Sequence, residues 1–230
     1  MDSVLSQLAW LGEQDSERVS MFGPFLGRSL LELAATALIG RLDPLRVLVV
    51  RQVQLQPEYD AAIPWKSSIR WQGDVLAPKK GQGDVLAPKK GSGLWGDALE
   101  YEKITKALLG DYYDHLLWRP ALQQMLGGTT AGGRWIAELS ALPPDSFVSR
   151  KREEIGRLYS ALSKGIHHEF VLPPGTLYDR ATVVDLVQRV IHLVADVGFV
   201  SHFVPHAATL LSPVDAVAAL GRIENVEVMK

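Results

Sequence analysis

Apolar residues recur at spacings of three and four along most of this chain, and this periodicity limits the fold more than any other feature. Val4, Leu5, Leu8 and Leu11 follow it near the N-terminus, and longer segments repeat it down to Ile223. Residues three or four positions apart share one face of an α-helix, so each segment predicts a helix with one buried face. Strict alternation over a strand's length is nearly absent. The sequence therefore predicts an all-α helical bundle.

Glycine, proline and capping residues divide this pattern into separate helices. Gly23-Pro24 predicts a break between a short first helix and a second helix that ends at Gly40. Asp43-Pro44 supplies the N-cap and first-turn residues of a third helix, to about Gln56. Arg119-Pro120 is expected to kink or end a later helix. Residues 181–204 are the most apolar stretch, but their interspersed charges and histidines predict a buried core helix with no membrane contact.

Residues 57–96 differ from the rest of the chain because they are rich in proline and glycine. They contain a ten-residue sequence, 72–81, that is repeated identically at 82–91. Two short copies are too few to form a solenoid. Lengthening a loop destabilises a protein only slightly, since each doubling of the loop length adds only about 0.6 kcal/mol of closure entropy. We therefore predict one domain over residues 1–230, with 57–96 as a loop excursion.

Each copy of the duplicated sequence carries a pair of lysines. Lys79, Lys80, Lys89 and Lys90 follow Arg70 within the same loop. One interpretation is a mobile basic arm that contacts RNA phosphates, and the other is a solvated linker.

Composition limits the classes of function. The 230 residues include 24 Lys and Arg against 26 Asp and Glu, a net charge of −2, so the whole chain does not attract a polyanion and any RNA contact has to be local. Cysteine is absent, which excludes disulfides and thiolate chemistry. No basic and apolar leader opens the sequence. We expect a cytoplasmic protein, and no motif predicts a cofactor or a metal.

The helix predicted over residues 147–168 ends in a basic segment. Arg157, Lys164 and His168 fall close to one stripe, while Tyr159, Leu162 and Ile166 form an adjoining stripe that can pack inward. Cations in the last turn suit the carbonyl end of a helix dipole, which is one explanation of the basic stripe. The other explanation is that the basic stripe forms part of a binding or catalytic site.

The pattern Tyr159-x-x-Leu162-Ser163-Lys164-x-Ile166-His167 near the end of a long, late helix resembles the HEPN superfamily. The resemblance implies a helical bundle that commonly dimerises. It also implies one of two roles: a ribonuclease of toxin-antitoxin, abortive-infection or CRISPR-linked systems, or a noncatalytic accessory domain. The nuclease pattern of that family places a histidine four to six positions after an arginine. Here Arg157 precedes His167 by ten positions, about 15 Å along a helix.

This departure favours an accessory role. The leading hypothesis is a HEPN-like RNA-sensing or partner-binding component of a prokaryotic defence or toxin-antitoxin system, acting as a homodimer or a partner-bound subunit. The first alternative is a metal-independent endoribonuclease. In it His167 or His168 abstracts a 2′-hydroxyl proton while Arg157 and Lys164 hold the phosphate, since a histidine pKa of about 6.5 suits proton transfer. The second alternative is a helical scaffold without nucleic-acid contact.

Overall fold

The fold is that of a computed structural model, which describes residues 1–57, 59, 69–71, 73–74, 108–110, 113–128, 134–166 and 177–224, with the backbone alone for 53, 69, 70, 73, 74, 128, 135 and 224. Its helices are α1 (Asp2–Gly12), α2 (Ser16–Leu42), α3 (Pro44–Gln54), α4 (Arg119–Gly128), α5 (Arg134–Ser140), α6 (Phe147–Ile166), α7 (Arg180–Ser201) and α8 (Pro213–Glu224). After α3, β1 (Ile69–Arg70) pairs antiparallel with β2 (Gly73–Asp74). The predicted all-α class is confirmed.

Helix α2 is the centre of the packing. It contacts α1, α3, α6 and α7, and its most extensive contact is with α7. The buried side chains of α2 recur at spacings of three and four, as the apolar periodicity predicts. Those of α7 do so as well, from Val183 through Val187 and Val190 to Val197. The two long helices therefore form the core on which α1 and α6 pack.

Two glycines allow this close packing. A Cβ atom added to Gly23 would overlap the side chain of Val183 on α7. At Gly27 an added Cβ would lie 3.1 Å from a Leu162 methyl of α6 and 3.4 Å from a Val187 methyl of α7. Gly23 and Gly27 lie one helical turn apart on the same face of α2. Neighbouring helices therefore approach the α2 backbone more closely than a side chain would permit.

The predicted helix break at Gly23-Pro24 is wrong. Helix α2 begins at Ser16, behind an Asp15 N-cap that accepts from the Arg18 amide at 2.9 Å, and it continues through Pro24. Proline in a helix interior loses one backbone hydrogen bond, a cost that favours a break in an isolated segment. Here Gly23 and Pro24 are both buried, and Pro24 lies against Gly165 of α6. Tertiary packing therefore overrides the local signal.

Pro120 does not end its helix either. The five residues before α4, Asp114–Trp118, form a π-helical segment that leads directly into α4. A π-helical turn is wider than an α-helical one. It accommodates a proline ring that would otherwise clash with the preceding turn. The expected Asp43 cap of α3 is present, because its carboxylate accepts from the Arg46 amide at 3.2 Å.

Trp71 belongs to the core although the sequence places it in the loop excursion. Its side chain is 5% exposed, and its indole Nε1 donates to the Leu31 carbonyl of α2 at 2.6 Å. The duplicated sequence lies outside the described residues, apart from the backbone of Gly73 and Asp74. The described part of this segment, around β1 and β2, therefore places one aromatic ring in the core beneath α2.

Among the described helices, α2 has the length and apolar composition of a membrane span, near the N-terminus. Half of its most apolar window is buried within the protein. Core helices and signal sequences have the same composition, so this property assigns no location.

Substituting Gly23 tests the packing of α2 on α7. Gly23→Ala introduces a methyl group where the stiff, β-branched Val183 already lies. We expect a loss of about 1–3 kcal/mol in the free energy of unfolding, measured by urea denaturation followed by circular dichroism. Gly156→Ala is the matched control, since an added Cβ there meets nothing within 4 Å. It should stabilise the protein by about 0.5–1 kcal/mol. Equal changes in the free energy of unfolding for Gly23→Ala and Gly156→Ala would contradict the close approach of α7 to α2 at Gly23.

Candidate functional site

The outward face of α6 carries the described part of the basic segment. Ile155, Leu158 and Leu162 turn inward and are buried, whereas Arg157 and Lys164 are exposed. Of the predicted inner stripe, Leu162 is buried and Tyr159 and Ile166 are half-buried. Of the predicted outer stripe, Arg157 and Lys164 are exposed, and His168 lies outside the described residues. Seven residues separate the two cations, about 10.5 Å along the helix axis.

Arg157 and Lys164 line the same groove. The groove has a volume of about 590 Å³, is open to solvent, and lies between the outer face of α6 and Tyr178, just before α7. Its volume lies within the range of about 300–1,000 Å³ that is common for small-molecule sites. The other lining residues that bear on its chemistry are Glu153, Ser160 and Ala161. One arginine, one lysine and one aromatic ring therefore face a common space.

The two cations have no partner among the described residues. No hydrogen bond or ion pair to another described residue involves the side chain of Arg157 or Lys164. The ion pair that a spacing of four residues allows between Glu153 and Arg157 is not formed. Both positive charges are therefore solvated and can bind an anion without first breaking a contact within the described protein.

On the inner side of the same helix, Tyr159 is held by α2. Its hydroxyl accepts from Arg28 at 2.5 Å and donates to Glu32 at 2.8 Å. The Arg28 guanidinium also lies over the ring, 4.4 Å from its centroid, and donates to Ser163 at 3.3 Å. Burial, followed by the Glu32 carboxylate, raises the pKa of Tyr159. Tyr159 and Ser163, two residues of the HEPN-like pattern, therefore fix α6 against α2.

A second buried contact fixes α6 against α7. Lys151 is buried, and its Nζ lies 2.5 Å from an oxygen of Asp196 and 3.5 Å from Glu154. Burial raises the pKa of Asp196, and the charge of Lys151 opposes this effect. Lys151 is thus the cation of α6 that points into the protein. The contact of Lys151 with Asp196 and the contacts of Arg28 with Tyr159 and Ser163 together set the rotation of α6 about its axis. With this rotation, Arg157 and Lys164 face outward.

The other predicted site residues cannot be placed in this groove. His167, His168, Lys79, Lys80, Lys89 and Lys90 lie outside the described residues, and of Arg70 the backbone alone is described, in β1. The catalytic role of the histidines and the RNA contact of the loop cations stay predictions. In the described part of the chain, no group of three histidine or acidic side chains is positioned to hold a metal ion.

Sequence reasoning missed Arg28, Glu32 and Tyr178. Arg28 and Glu32 are 131 and 127 residues from Tyr159, and no local pattern connects such distant positions. Tyr178 follows a proline-rich break and has no periodicity that marks it. Its ring reaches α6 because the hydroxyl donates to the Ala161 carbonyl at 3.0 Å.

His202 lies in a partly buried position at the end of α7, next to a positive charge. Its Nδ1 accepts from Arg41 Nη2 at 2.6 Å and from the Leu211 amide at 3.0 Å, which joins the end of α2 to the chain before α8. Arg41 also donates to the carbonyl of Thr209, a residue in the left-handed region with φ of 55°. Burial, followed by the Arg41 charge, lowers the pKa of His202 from 6.5 to about 4.

The His202 contacts predict a defined pH dependence of stability. Because the pKa is lower in the folded protein than in the unfolded chain, the unfolded chain takes up a proton first as the pH falls. The contribution of His202 is therefore complete above about pH 6.5 and is lost between 6.5 and about 4. His202→Asn retains an acceptor but cannot titrate, so its free energy of unfolding should fall less over this window than that of the wild type. The free energy of unfolding is measured by urea denaturation at several pH values. If it changed equally with pH in the wild type and in His202→Asn, this assignment would be contradicted.

Comparison of this chain with protein-family models, with curated protein sequences and with solved structures finds no match. A functional assignment therefore depends on the residues and geometry of α6 and on the resemblance seen in its sequence.

Proposed function

We propose that this protein is a HEPN-like, noncatalytic accessory component that binds single-stranded RNA at the groove of α6. The observation that carries the proposal is that Arg157 and Lys164 are exposed in one open groove and have no partner among the residues that the structure describes. Cationic grooves bind nucleic acids chiefly through phosphates. The sequence resemblance supports RNA as the ligand and a prokaryotic defence or toxin-antitoxin locus as the setting.

The charge of the rest of the chain is consistent with a local site. With a net charge of −2, the protein gains no general attraction for RNA, so affinity has to come from a local site such as the groove. Few phosphate contacts give modest affinity that depends on salt concentration. Modest affinity suits a sensing role, in which binding is reversible and follows the concentration of the RNA.

Removing the two cations tests this function. We expect Arg157→Ala/Lys164→Ala to weaken the binding of a labelled single-stranded RNA, measured by fluorescence anisotropy in EDTA. The slope of log affinity against log salt should become shallower by about 1.4, or about 0.7 for each lost phosphate contact. Arg152→Ala/Arg222→Ala is a control that changes the charge equally at two exposed sites away from the groove.

Two results would reject the proposed function. One is that the wild-type protein binds no RNA at low salt, and the other is that both double variants bind like the wild type. Recovery of intact RNA from the EDTA samples separates binding from cleavage. Cleavage that disappears in His167→Ala/His168→Ala would establish the endoribonuclease instead.

We also propose that the protein forms a homodimer through the exposed face of α2. Met21, Phe22 and Phe25 lie within about one turn and are 45%, 44% and 56% exposed. Aromatic residues and methionine are enriched in protein interfaces. Most symmetric oligomers are two-fold dimers, in which one patch contacts its own copy.

Sedimentation equilibrium tests the dimer. Phe22→Ser/Phe25→Ser removes two aromatic side chains from the exposed face of α2, so we expect the variant to remain monomeric at concentrations where the wild type is dimeric. Leu45→Ser/Leu48→Ser, on α3, is the matched control because these leucines are 69% and 55% exposed. A wild-type monomer at every concentration, or a dimer that survives the α2 substitutions, would reject this interface.

A further inference from the structure

Four lining residues of the groove lie in one row along α6. Glu153, Arg157, Ser160 and Lys164 follow each other at steps of four, three and four residues, a spacing that keeps them on one face of the helix. Ser160 is about 4.5 Å from Arg157 and about 6 Å from Lys164 along the axis. A small hydroxyl therefore separates two cations, and a carboxylate precedes the first of them.

Tyr178 forms the wall that faces this row. Its hydroxyl is fixed by the hydrogen bond to the Ala161 carbonyl, next to Ser160. The ring also lies close to the helix at Gly165, where an added Cβ would be 3.1 Å from the Tyr178 Cδ2 and 2.6 Å from Pro24. Glycine at this position lets the ring rest on α6. The ring is half-buried, packs against the core and lines the groove, where an aromatic side chain can stack a nucleobase.

Ser160 is available to a ligand. It is exposed, and its hydroxyl makes no hydrogen bond with another described residue. In a nucleic-acid strand the sugar lies between successive phosphates, as Ser160 lies between the two cations. A serine hydroxyl can donate to and accept from a ribose 2′-hydroxyl, the group that distinguishes RNA from DNA. Glu153 repels a further phosphate and so ends the row of phosphate contacts at Arg157.

We propose that this groove is a ribonucleotide subsite, in which one base stacks on Tyr178, Arg157 and Lys164 bind the flanking phosphates, and Ser160 contacts the ribose 2′-hydroxyl. The inference rests on the proposed RNA binding and deepens it. It assigns the preference for RNA over DNA to a single hydroxyl. It also makes recognition independent of base identity, because every base presents a π-face.

The stacking contact is tested with a labelled oligouridylate. Tyr178→Leu, which removes the aromatic ring, should weaken binding about fivefold or more. Tyr178→Phe keeps the ring and loses the hydrogen bond to Ala161, so it should retain affinity within about twofold of the wild type. A Tyr178→Leu protein that remains folded by circular dichroism and binds like the wild type would overturn the stacking role.

The ribose contact is tested with matched oligouridylate and oligodeoxyuridylate. Ser160→Ala should lower affinity for the RNA about two- to tenfold, the worth of one hydrogen bond, and leave affinity for the DNA unchanged. Ser160 is exposed and has no hydrogen bond within the described part of the chain, so this variant is expected to fold normally. Ser6→Ala, at an exposed serine of α1, is the matched control.

The outcomes of these experiments distinguish a failure of the proposed subsite from a failure of the proposed RNA binding. If the wild type binds no RNA, the proposed function fails and the subsite fails with it. If binding depends on Arg157 and Lys164 but is unchanged by Tyr178→Leu and Ser160→Ala, the RNA-binding function stands and the subsite is wrong. Equal affinity of the wild type for the RNA and DNA oligonucleotides also overturns the ribose contact.

Discussion

The close approach of α7 and α6 to the glycine face of α2 is the contact on which the rest of the structure depends. At Gly23 the side chain of Val183 occupies the space of a Cβ, and at Gly27 an added Cβ would be in tight contact with Leu162. The dispersion energy of such packing falls steeply with distance, because a gap of about 0.5–1 Å between atoms already loses about a quarter to a half of it. The positions of α6 and α7 are therefore fixed by α2, and α6 in turn supplies most of the groove.

Polar contacts then decide how α6 is rotated on this support. The Arg28, Tyr159 and Glu32 cluster and the Lys151–Asp196 pair hold the inner side of α6 at two separate points. Buried polar groups are expensive unless they are paired, so a rotation that exposed one partner alone would be strongly disfavoured. The outer row is consequently presented to solvent by contacts on the opposite side of the helix. Stability and the candidate site are thus connected through the same helix.

The sequence predicts this architecture well where periodicity and local capping decide the structure. The helical class, the Asp43 cap and the outward position of Arg157 and Lys164 all follow from spacing within one segment. The predictions from sequence fail where residues that are far apart in the sequence come into contact. Pro24 continues a helix because the surrounding core holds it, Trp71 leaves its loop to reach Leu31, and Tyr178 completes a groove that no linear motif marks. Such contacts join residues that are tens of positions apart, so single-sequence patterns do not contain them.

If the groove binds RNA as proposed, its two cations account for how a protein with a slight negative charge binds a polyanion at one place. Neutralising phosphates releases counterions, and each contact adds affinity that salt removes. With two cations in the groove this gain is small, so contacts that do not depend on charge must supply selectivity. A fixed aromatic ring costs little entropy on binding because its position is already set by Ala161 and Gly165. In the proposed subsite, the Tyr178 ring and the Ser160 hydroxyl, which has no partner among the described residues, therefore contribute more to the choice of ligand than the two cations do.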